Sequence, residues 1–167
     1  GSGWLTEGAA LHGQLLARVR RNSAFHAPED ARPLILIGNG TGLAGLRSLL
    51  KQRIGAGQSR NWLLFGERNA AHDFYCREEL DSWLASGELA RLDLAFSRDQ
   101  AAKVYVQDRL RMAAEHLHSW VAEGAAIYVC GSLDGMASGV DAVLREVLGD
   151  AQVEALIEEG RYRRDVY

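Results

Sequence analysis

Short apolar runs alternate with longer helical patterns along most of the chain. The runs cover residues 34–37, 62–65, 92–96 and 127–129, and they have the length and composition of fully buried strands. The segments 42–52, 74–86, 106–123 and 136–148 carry apolar residues at three- and four-residue spacings, which is typical of helices with one buried face. This order predicts an α/β fold: a doubly wound parallel sheet of about five strands with helices on both faces.

The expected fold also predicts where function lies. In an open parallel sheet, ligands bind at the carboxyl ends of the strands, where the strand order reverses. We therefore expect the functional residues directly after each strand. The C-terminal segment, residues 160–167, alternates in character and is expected to add an edge strand.

The N-terminal part of the chain has a different pattern. Residues 25–33 contain both prolines and several polar residues, which indicates a linker. Residues 14–20 have the pattern of a strand, but one strand leaves both faces uncovered and needs a sheet from residues outside the chain. We therefore expect residues 1–28 to be the end of a preceding domain and residues 29–167 to form the α/β domain.

Composition limits the classes of function. The 167 residues, 47% of them hydrophobic, suffice for one packed domain, and the net charge of −3 gives no field that gathers nucleic acid. No apolar run approaches the roughly 20 residues of a membrane span, so no membrane contact is expected from this segment. Cys76 and Cys130 lack redox-pair or zinc spacing, and His116 and His118 diverge on a helix, so no metal is expected.

The setting expected from these features is reducing and cytoplasmic, because the two cysteines show no disulfide pattern. The chain begins without Met, and we interpret it as a segment of a longer parent protein. A membrane tether of the parent, if it has one, would lie upstream.

A glycine-rich turn follows the first predicted strand. Gly40 to Gly45 read Gly-Thr-Gly-Leu-Ala-Gly and open a helix, an arrangement that aims backbone N–H groups at a phosphate. Glycine matters because a side chain would block the close approach. Two alternatives remain open: a tight turn without a ligand, and an NAD site in which Glu67 binds the ribose. No Lys-Ser or Lys-Thr follows, which excludes a nucleoside triphosphatase P-loop.

A polar and basic cluster follows the third predicted strand. It consists of Ser97, Arg98, Lys103, Tyr105 and Gln107, and in an extended segment the last three side chains would point to one side. Two cations and three neutral hydrogen-bonding groups suit a dianionic phosphate such as the 2′-phosphate of NADP. The alternative is an exposed loop in which the two cations are merely hydrated.

Five motifs follow one another at matching spacings. They are Gly40-Thr-Gly-Leu-Ala44; Leu64-Phe-Gly-Glu-Arg68 with Asp73-Phe-Tyr75 and Arg77-Glu-Glu-Leu80; Ser97-Arg98 with Lys103-Val-Tyr-Val-Gln107; Tyr128-Val-Cys-Gly131 with Met136; and Arg161-Tyr-Arg-Arg-Asp-Val-Tyr167. In this combination the chain resembles the NADPH-binding domain of diflavin reductases in the ferredoxin–NADP reductase superfamily, of the kind found in sulfite reductase flavoprotein and cytochrome P450 reductase. The similarity runs from Phe25 to the last residue.

This resemblance implies a ferredoxin reductase-like NADP-binding domain, with residues 1–28 as the remnant of an FAD-binding barrel domain. It implies that Gly40, Thr41 and Gly42 bind the pyrophosphate with help from Arg68, and that the cluster after the third strand binds the 2′-phosphate and adenosine. The other residues with implied roles are Cys130 and Asp165 in hydride transfer, Gly131 and Met136 in cofactor binding, Tyr167 stacking on the flavin, and Ser2 touching the flavin pyrophosphate.

Some of these roles have plain structural alternatives. Cys130 has the alternative of a buried structural thiol, Asp165 that of a surface carboxylate, and Gly1-Ser2 that of a cloning remnant. Gly45 replaces the proline usual in the family, and Gly139 stands where an acidic residue is common. The FAD domain's Arg-x-Tyr-Ser motif and the flavodoxin-like domain are absent from the sequence, so we do not expect the chain to hold flavin by itself.

The function implied by the resemblance is to position NADPH for hydride transfer from its C4 to N5 of FAD, with onward electron transfer to an acceptor. The implied cofactors are NADP(H) and FAD, the latter held mainly by the upstream domain. The implied partners are that FAD domain and a redox acceptor protein or domain. Two alternatives from other classes are a non-catalytic NADP(H)-sensing domain and a fragment of an NAD-dependent dehydrogenase.

Overall fold

The computed structural model describes residues 3–18, 22 and 24–167 of the chain. At its centre lies a parallel sheet of five strands, β1 (Leu34–Asn39), β2 (Asn61–Glu67), β3 (Arg91–Phe96), β4 (Ala126–Gly131) and β5 (Tyr162–Val166). The strands lie in the order β3-β2-β1-β4-β5, so the predicted doubly wound sheet is confirmed. The C-terminal strand β5 lies at an edge beside β4, as its alternating sequence predicts.

Helices connect the strands and cover the sheet. In the described part of the chain they are α1 (Gly42–Gly55), α2 (Ala70–Asp73), α3 (Arg77–Ser86), α4 (Val106–Met112), α5 (Ala114–Ala122), α6 (Ser138–Leu148) and α7 (Asp150–Glu158), with π-helical turns at Trp4–Gly8 and Leu133–Ala137. Among these described helices, none has the length and apolar character needed to cross a membrane.

Two hydrophobic cores lie on opposite faces of the sheet. Leu34 and Leu36 pack with residues of α1 and α3, whereas Ile35 and Ile37 pack with residues of α4 to α7. All four side chains are completely buried. Because helices cover both faces, every residue of such a strand is apolar, which explains why these strands are continuous hydrophobic runs rather than alternating ones.

The helix boundaries differ from the predicted ones for local reasons. The segment 106–123 is broken at Ala113 into α4 and α5, and the segment 74–86 begins its helix only at Arg77. Cys76 before that helix has a left-handed backbone, with φ of 61°, which a continuous helix excludes. The segment 136–148 starts within a π-helical turn, and α6 proper begins at Ser138. The short helix α7 was not predicted.

The described residues of the N-terminal segment contain no strand. Residues 14–18 are irregular, contrary to the strand predicted for 14–20, whose last two residues lie outside the described part of the chain. Leu11 and Leu16 are almost completely exposed. Phe25, by contrast, is buried against Tyr128 with ring centroids 5.2 Å apart, so the packed core includes a residue from before position 29. The domain division at residues 28 and 29 stays a prediction.

A buried arginine joins α1 to the amino ends of β1 and β2. Arg53 is only 1% exposed; its Nε donates to Asn61 Oδ1 at 2.6 Å, and its Nη2 donates to the Arg32 carbonyl at 2.7 Å. Burial lowers the pKa of this guanidinium. Asn61 is completely buried and also donates to the carbonyls of Gln58 and Glu88. Burying a charged group costs folding free energy unless hydrogen-bond partners such as these replace the lost water.

We expect Asn61→Ala to lower the free energy of unfolding by about 3 kcal/mol, because it removes one partner of a buried cation and leaves two carbonyls unpaired. Urea denaturation measures this change. The control is Glu123→Gln, which weakens an exposed ion pair with Arg60 and is expected to leave the free energy of unfolding almost unchanged. Equal losses in the two variants would contradict the structural role of Asn61.

Candidate functional site

The strand order reverses between β1 and β4. From β1 the chain passes outward to β2 and β3, then returns across the sheet to β4 and β5 on the other side. The connections that leave β1 and β4 at their carboxyl ends therefore diverge to opposite faces and leave a crevice between them. The glycine-rich turn of residues 40–45 and the turn of residues 131–137 border this crevice.

The glycine turn is shaped by a close approach of α1 to β4. An added Cβ at Gly42 would lie 2.6 Å from the carbonyl carbon of Cys130 and would overlap its carbonyl oxygen, so any side chain forces the helix away from the strand. Gly40 has φ of 55°, in the left-handed region that favours glycine. The N–H groups of Leu43 and Ala44 donate to the carbonyls of Gly40 and Thr41, whereas those of Thr41 and Gly42 have no hydrogen-bond partner among the described residues.

Beside the glycine turn lies an open cleft of about 740 Å³, within the range of about 300–1,000 Å³ typical of cofactor sites. We call it the strand-end cleft. Its lining residues are Asn39, Gly40, Thr41, Gly66, Glu67, Arg68, Asp73, Tyr75, Ala95, Ser97, Val104, Tyr105, Val106, Gln107, Asp134, Gly135 and Met136. They come from the carboxyl ends of β1, β2 and β3, the start of α4 and the turn after β4.

About half of the sequence-predicted site residues line this cleft. Those that do are Gly40, Thr41, Arg68, Ser97, Tyr105, Gln107 and Met136, whereas Gly42, Arg98, Lys103, Cys130, Gly131, Asp165 and Tyr167 lie outside its lining. Ser2 lies outside the described residues. No group of three or more metal-binding side chains occurs among the described residues.

The basic cluster is arranged differently from the predicted extended segment. Gln107 lies in the first turn of α4, so its alternation with Lys103 and Tyr105 does not put the three side chains on one side of a strand. Tyr105 and Gln107 both line the cleft because the helix begins between them, while Lys103 is exposed outside the lining. The helix begins at this point because α4 is capped there: Asp108 Oδ2 accepts a hydrogen bond from the Tyr105 N–H at 2.8 Å.

Backbone bonds fix the loop after β3 against the loop after β2. The N–H groups of Ser97 and Arg98 donate to the carbonyls of Glu67 and Arg68, each at 2.9 Å. The side chains of Arg98 and Lys103 are exposed, and neither forms an ion pair with a described residue. Two long cations, each the chain neighbour of a lining residue (Ser97 and Val104), are therefore available to an anion.

Cys130 and Asp165 are brought together by the pairing of β4 with β5, in which they are direct partners. The thiol is 4% exposed. Burial, and to a smaller extent the charge of Asp165, raises the pKa of Cys130 to about 11, so its sulfur is protonated at neutral pH. Gly131 follows with φ of 137°, a conformation in which a side chain would overlap Asn39 Oδ1.

The C-terminal residue lies across the crevice. The N–H of Tyr167 donates to the Gly131 carbonyl at 3.1 Å, and the Leu133 N–H donates to the Tyr167 carbonyl at 2.9 Å. The Tyr167 hydroxyl forms a hydrogen bond with Thr41 Oγ1 of the glycine turn. The tail is thus tied both to the turn after β4 and to the glycine turn, although the ring is two-thirds exposed.

Four polar residues of the lining, Asn39, Asp73, Tyr75 and Asp134, were not assigned roles from the sequence. Asp73 and Tyr75 lie within one of the five motifs, but Asp73 is the last residue of α2 and Tyr75 follows that helix, so neither comes directly after a strand. Asn39 precedes Gly40 and Asp134 precedes Gly135, both beside the crevice. The expectation that functional residues lie at strand ends covers this region but singles out neither residue. Glu67 also lines the cleft, and its Oε2 accepts from the Arg68 N–H at 3.0 Å.

Two departures from the family pattern have local structural consequences. An added Cβ at Gly45 would lie 3.2 Å from Cys130 Sγ, so a side chain at this position would crowd the thiol. At Gly139 an added Cβ would lie 3.0 Å from Gln107 Nε2. The Gln107 amide therefore lies over the position where the family commonly carries a carboxylate.

We expect Gly42→Ala to lower the free energy of unfolding by about 2 kcal/mol or more, because α1 must move away from β4 to accommodate the methyl group. Gly55→Ala is the matched control in the same helix, since nothing lies within 4 Å of its Cβ position, and it should be neutral or slightly stabilising. Chemical denaturation of both variants measures the difference. A Gly42→Ala chain as stable as the control would contradict the close approach.

The raised pKa of Cys130 predicts an unreactive thiol. In a Cys76→Ser variant, the rate of alkylation by iodoacetamide should rise with pH up to about 10 without a plateau, because the thiolate fraction keeps increasing until the pKa near 11. In denaturant the rate should level off above about pH 8.5, the ordinary thiol value. A native-state plateau near pH 9 would contradict the assignment.

The same shift has a consequence for stability. The folded thiol keeps its proton to a higher pH than the unfolded one, so its stabilising contribution is complete below about pH 8.5. That contribution is lost as the pH rises towards 11.

Comparison with known proteins agrees with this geometry. A sequence model of the oxidoreductase NAD-binding domain matches residues 36–142. The sulfite reductase [NADPH] flavoprotein alpha-component of Neisseria meningitidis serogroup C is 41% identical over 178 aligned positions, which cover 99% of this chain and 30% of that protein. The proteins of the same name from Mannheimia succiniciproducens and Yersinia pestis are 39% and 38% identical, again over 99% of this chain.

The chain therefore spans about 30% of the length of the curated relatives it matches. The resemblance inferred from the five motifs is confirmed by these relatives. Since the family model covers more than half of the residues, and with them the glycine turn and the strand-end cleft, the chain belongs to the oxidoreductase NAD-binding domain family.

Proposed function

We propose that this chain is the NADP(H)-binding module of a flavoprotein oxidoreductase, which positions NADPH for hydride transfer to FAD. The observation that carries the proposal is the strand-end cleft at the switch point of the sheet, which Gly40 and Thr41 of the glycine turn line. Arg98 and Lys103 are chain neighbours of the lining residues Ser97 and Val104, and neither has an ion-pair partner among the described residues. The names of the relatives, which are NADPH flavoproteins, support it. The whole parent protein would be an NADPH-dependent electron-transfer enzyme.

The pyrophosphate of the nucleotide would lie against the glycine turn. Gly40 and Thr41 line the cleft, and the N–H groups of Thr41 and Gly42, which have no hydrogen-bond partner among the described residues, suit a negatively charged phosphate. Arg68 also lines the cleft and would supply a positive charge. The absence of a side chain at Gly42 lets the helix start lie close to β4, which brings the phosphate site beside Cys130 and Gly131.

The 2′-phosphate would lie at the loop after β3. Ser97 and Tyr105 line the cleft with hydroxyl groups, and Arg98 and Lys103 stand exposed nearby without an ion-pair partner among the described residues. Cations and hydroxyls in this arrangement suit a dianionic group. An NAD site with Glu67 on the ribose predicts the opposite preference, because a carboxylate repels the 2′-phosphate.

The nicotinamide would lie near Cys130 and Gly131. A protonated thiol cannot act as a base, so we propose that Cys130 contributes a neutral, polarisable surface while Asp165 contributes charge. Gly131 has no side chain, and Asn39 Oδ1 lies in the space that one would take. Tyr167 lies across this end and would move before the ring takes its place. The flavin, when bound by the parent protein, supplies the redox chemistry.

We also propose a domain organisation, a redox acceptor and a cellular setting for the parent protein. Residues 1–28 would be the remnant of an FAD-binding barrel domain, and residues 29–167 the NADP-binding domain. The exposed leucines of the N-terminal segment are consistent with a partner surface there. A redox acceptor protein or domain would receive the electrons. Two free cysteines among the described residues favour a reducing, cytoplasmic setting.

The test is a calorimetric titration of the chain with NADP⁺ and NAD⁺. We expect Arg98→Ala to weaken NADP⁺ binding about 10- to 100-fold and to leave NAD⁺ binding almost unchanged, because a hydrogen bond to a charged group contributes about 1.5–3 kcal/mol. Arg60→Ala is the matched control, since this arginine lies at the amino end of β2, away from the cleft. Equal losses for both nucleotides would contradict the 2′-phosphate assignment.

A further inference from the structure

We propose that Asn39 positions the nicotinamide-side half of the bound dinucleotide, by holding the turn after β4 and by donating a hydrogen bond from its side-chain amide to that half. The inference rests on the proposed function and deepens it. Asn39 is the last residue of β1 and lines the strand-end cleft directly before Gly40. It therefore stands between the two turns that border the crevice.

The first observation is the bond from Asn39 to the turn after β4. Asn39 Oδ1 accepts from the Ser132 backbone N–H at 3.0 Å. The same oxygen occupies the space that a side chain at residue 131 would need, which is why that position is glycine. One carboxamide thus fixes the distance between the strand that leads into the glycine turn and the turn that borders the nicotinamide end.

The second observation is the unused half of the same carboxamide. Its oxygen is engaged with Ser132, and within the described residues no hydrogen bond uses its nitrogen. The residue is half-buried at the wall of the cleft. A fixed amide with free N–H groups at such a wall is a ready donor for a phosphate oxygen or a ribose hydroxyl.

The third observation is the charge balance of the cleft. Its lining contains one cation, Arg68, and three acids, Glu67, Asp73 and Asp134. A nucleotide phosphate in this cleft depends largely on neutral donors and the helix start, because the carboxylates oppose it. A neutral amide beside the glycine turn fills that need, and a carboxylate in its place would add to the repulsion.

The experiment compares Asn39→Asp and Asn39→Ala with the unchanged chain, using NADP⁺ and 2′,5′-ADP as calorimetric ligands. 2′,5′-ADP keeps the 2′-phosphate and adenosine but lacks the nicotinamide-side half. Asn39→Asp retains an oxygen for the Ser132 N–H, removes the amide donors and adds a negative charge. Asn39→Ala removes both functions without adding charge, and thermal unfolding confirms that each variant is folded.

We expect both variants to weaken NADP⁺ binding about 10-fold or more, with Asn39→Asp the weaker binder, because a donor to a charged group is lost. Binding of 2′,5′-ADP should stay within about twofold. If both ligands are weakened equally, or neither is weakened, the role of Asn39 is overturned, but the proposal that the chain binds NADP still stands. An unchanged chain that binds neither ligand would instead overturn the proposed function itself.

Discussion

The close contact between the start of α1 and the end of β4 is the constraint on which the site depends. A glycine at position 42 lets the helix start reach the carbonyl group of Cys130, where a methyl group would not fit. This contact places the start of α1 next to the strand end that carries the buried thiol. Without it, the two halves of the crevice would be separated by at least the width of a side chain.

Side-chain hydrogen bonds connect the turns that border the crevice. Asn39 connects β1 to the turn after β4, and Tyr167 connects that turn to Thr41 of the glycine turn. On the far side of the cleft, the loops after β2 and β3 are joined by backbone hydrogen bonds. Hydrogen bonds of main-chain, amide and hydroxyl groups therefore hold the frame of the crevice, and the long side chains of Arg98 and Lys103 are exposed outside it.

Much of this fold was predictable from sequence, because buried parallel strands are short continuous apolar runs and the helices between them are periodic. Gly40, Thr41 and Ser97, which the sequence places directly after strands, line the cleft. The break at Ala113 and the late start at Arg77 were not predictable, since they depend on local backbone geometry such as the positive φ of Cys76.

The site was less predictable than the fold, for a physical reason. Alternation in sequence suggested one common direction for Lys103, Tyr105 and Gln107, but a helix begins between the second and third of them. Asn39 carries no motif signal, because its importance comes from a bond to a residue that is 93 positions away in sequence. Contacts of this kind follow from strand order and register, which a single sequence does not specify.

The central claim is that a nicotinamide dinucleotide binds in the strand-end cleft against the glycine turn. Backbone amide chemical shifts of the isotope-labelled chain, recorded by NMR during titration with NADP⁺, test it most directly. The account predicts the largest shifts at residues 40–43, 97–98 and 131–136. Shifts concentrated instead around Arg32 and Arg161, at the amino ends of the strands, would contradict it.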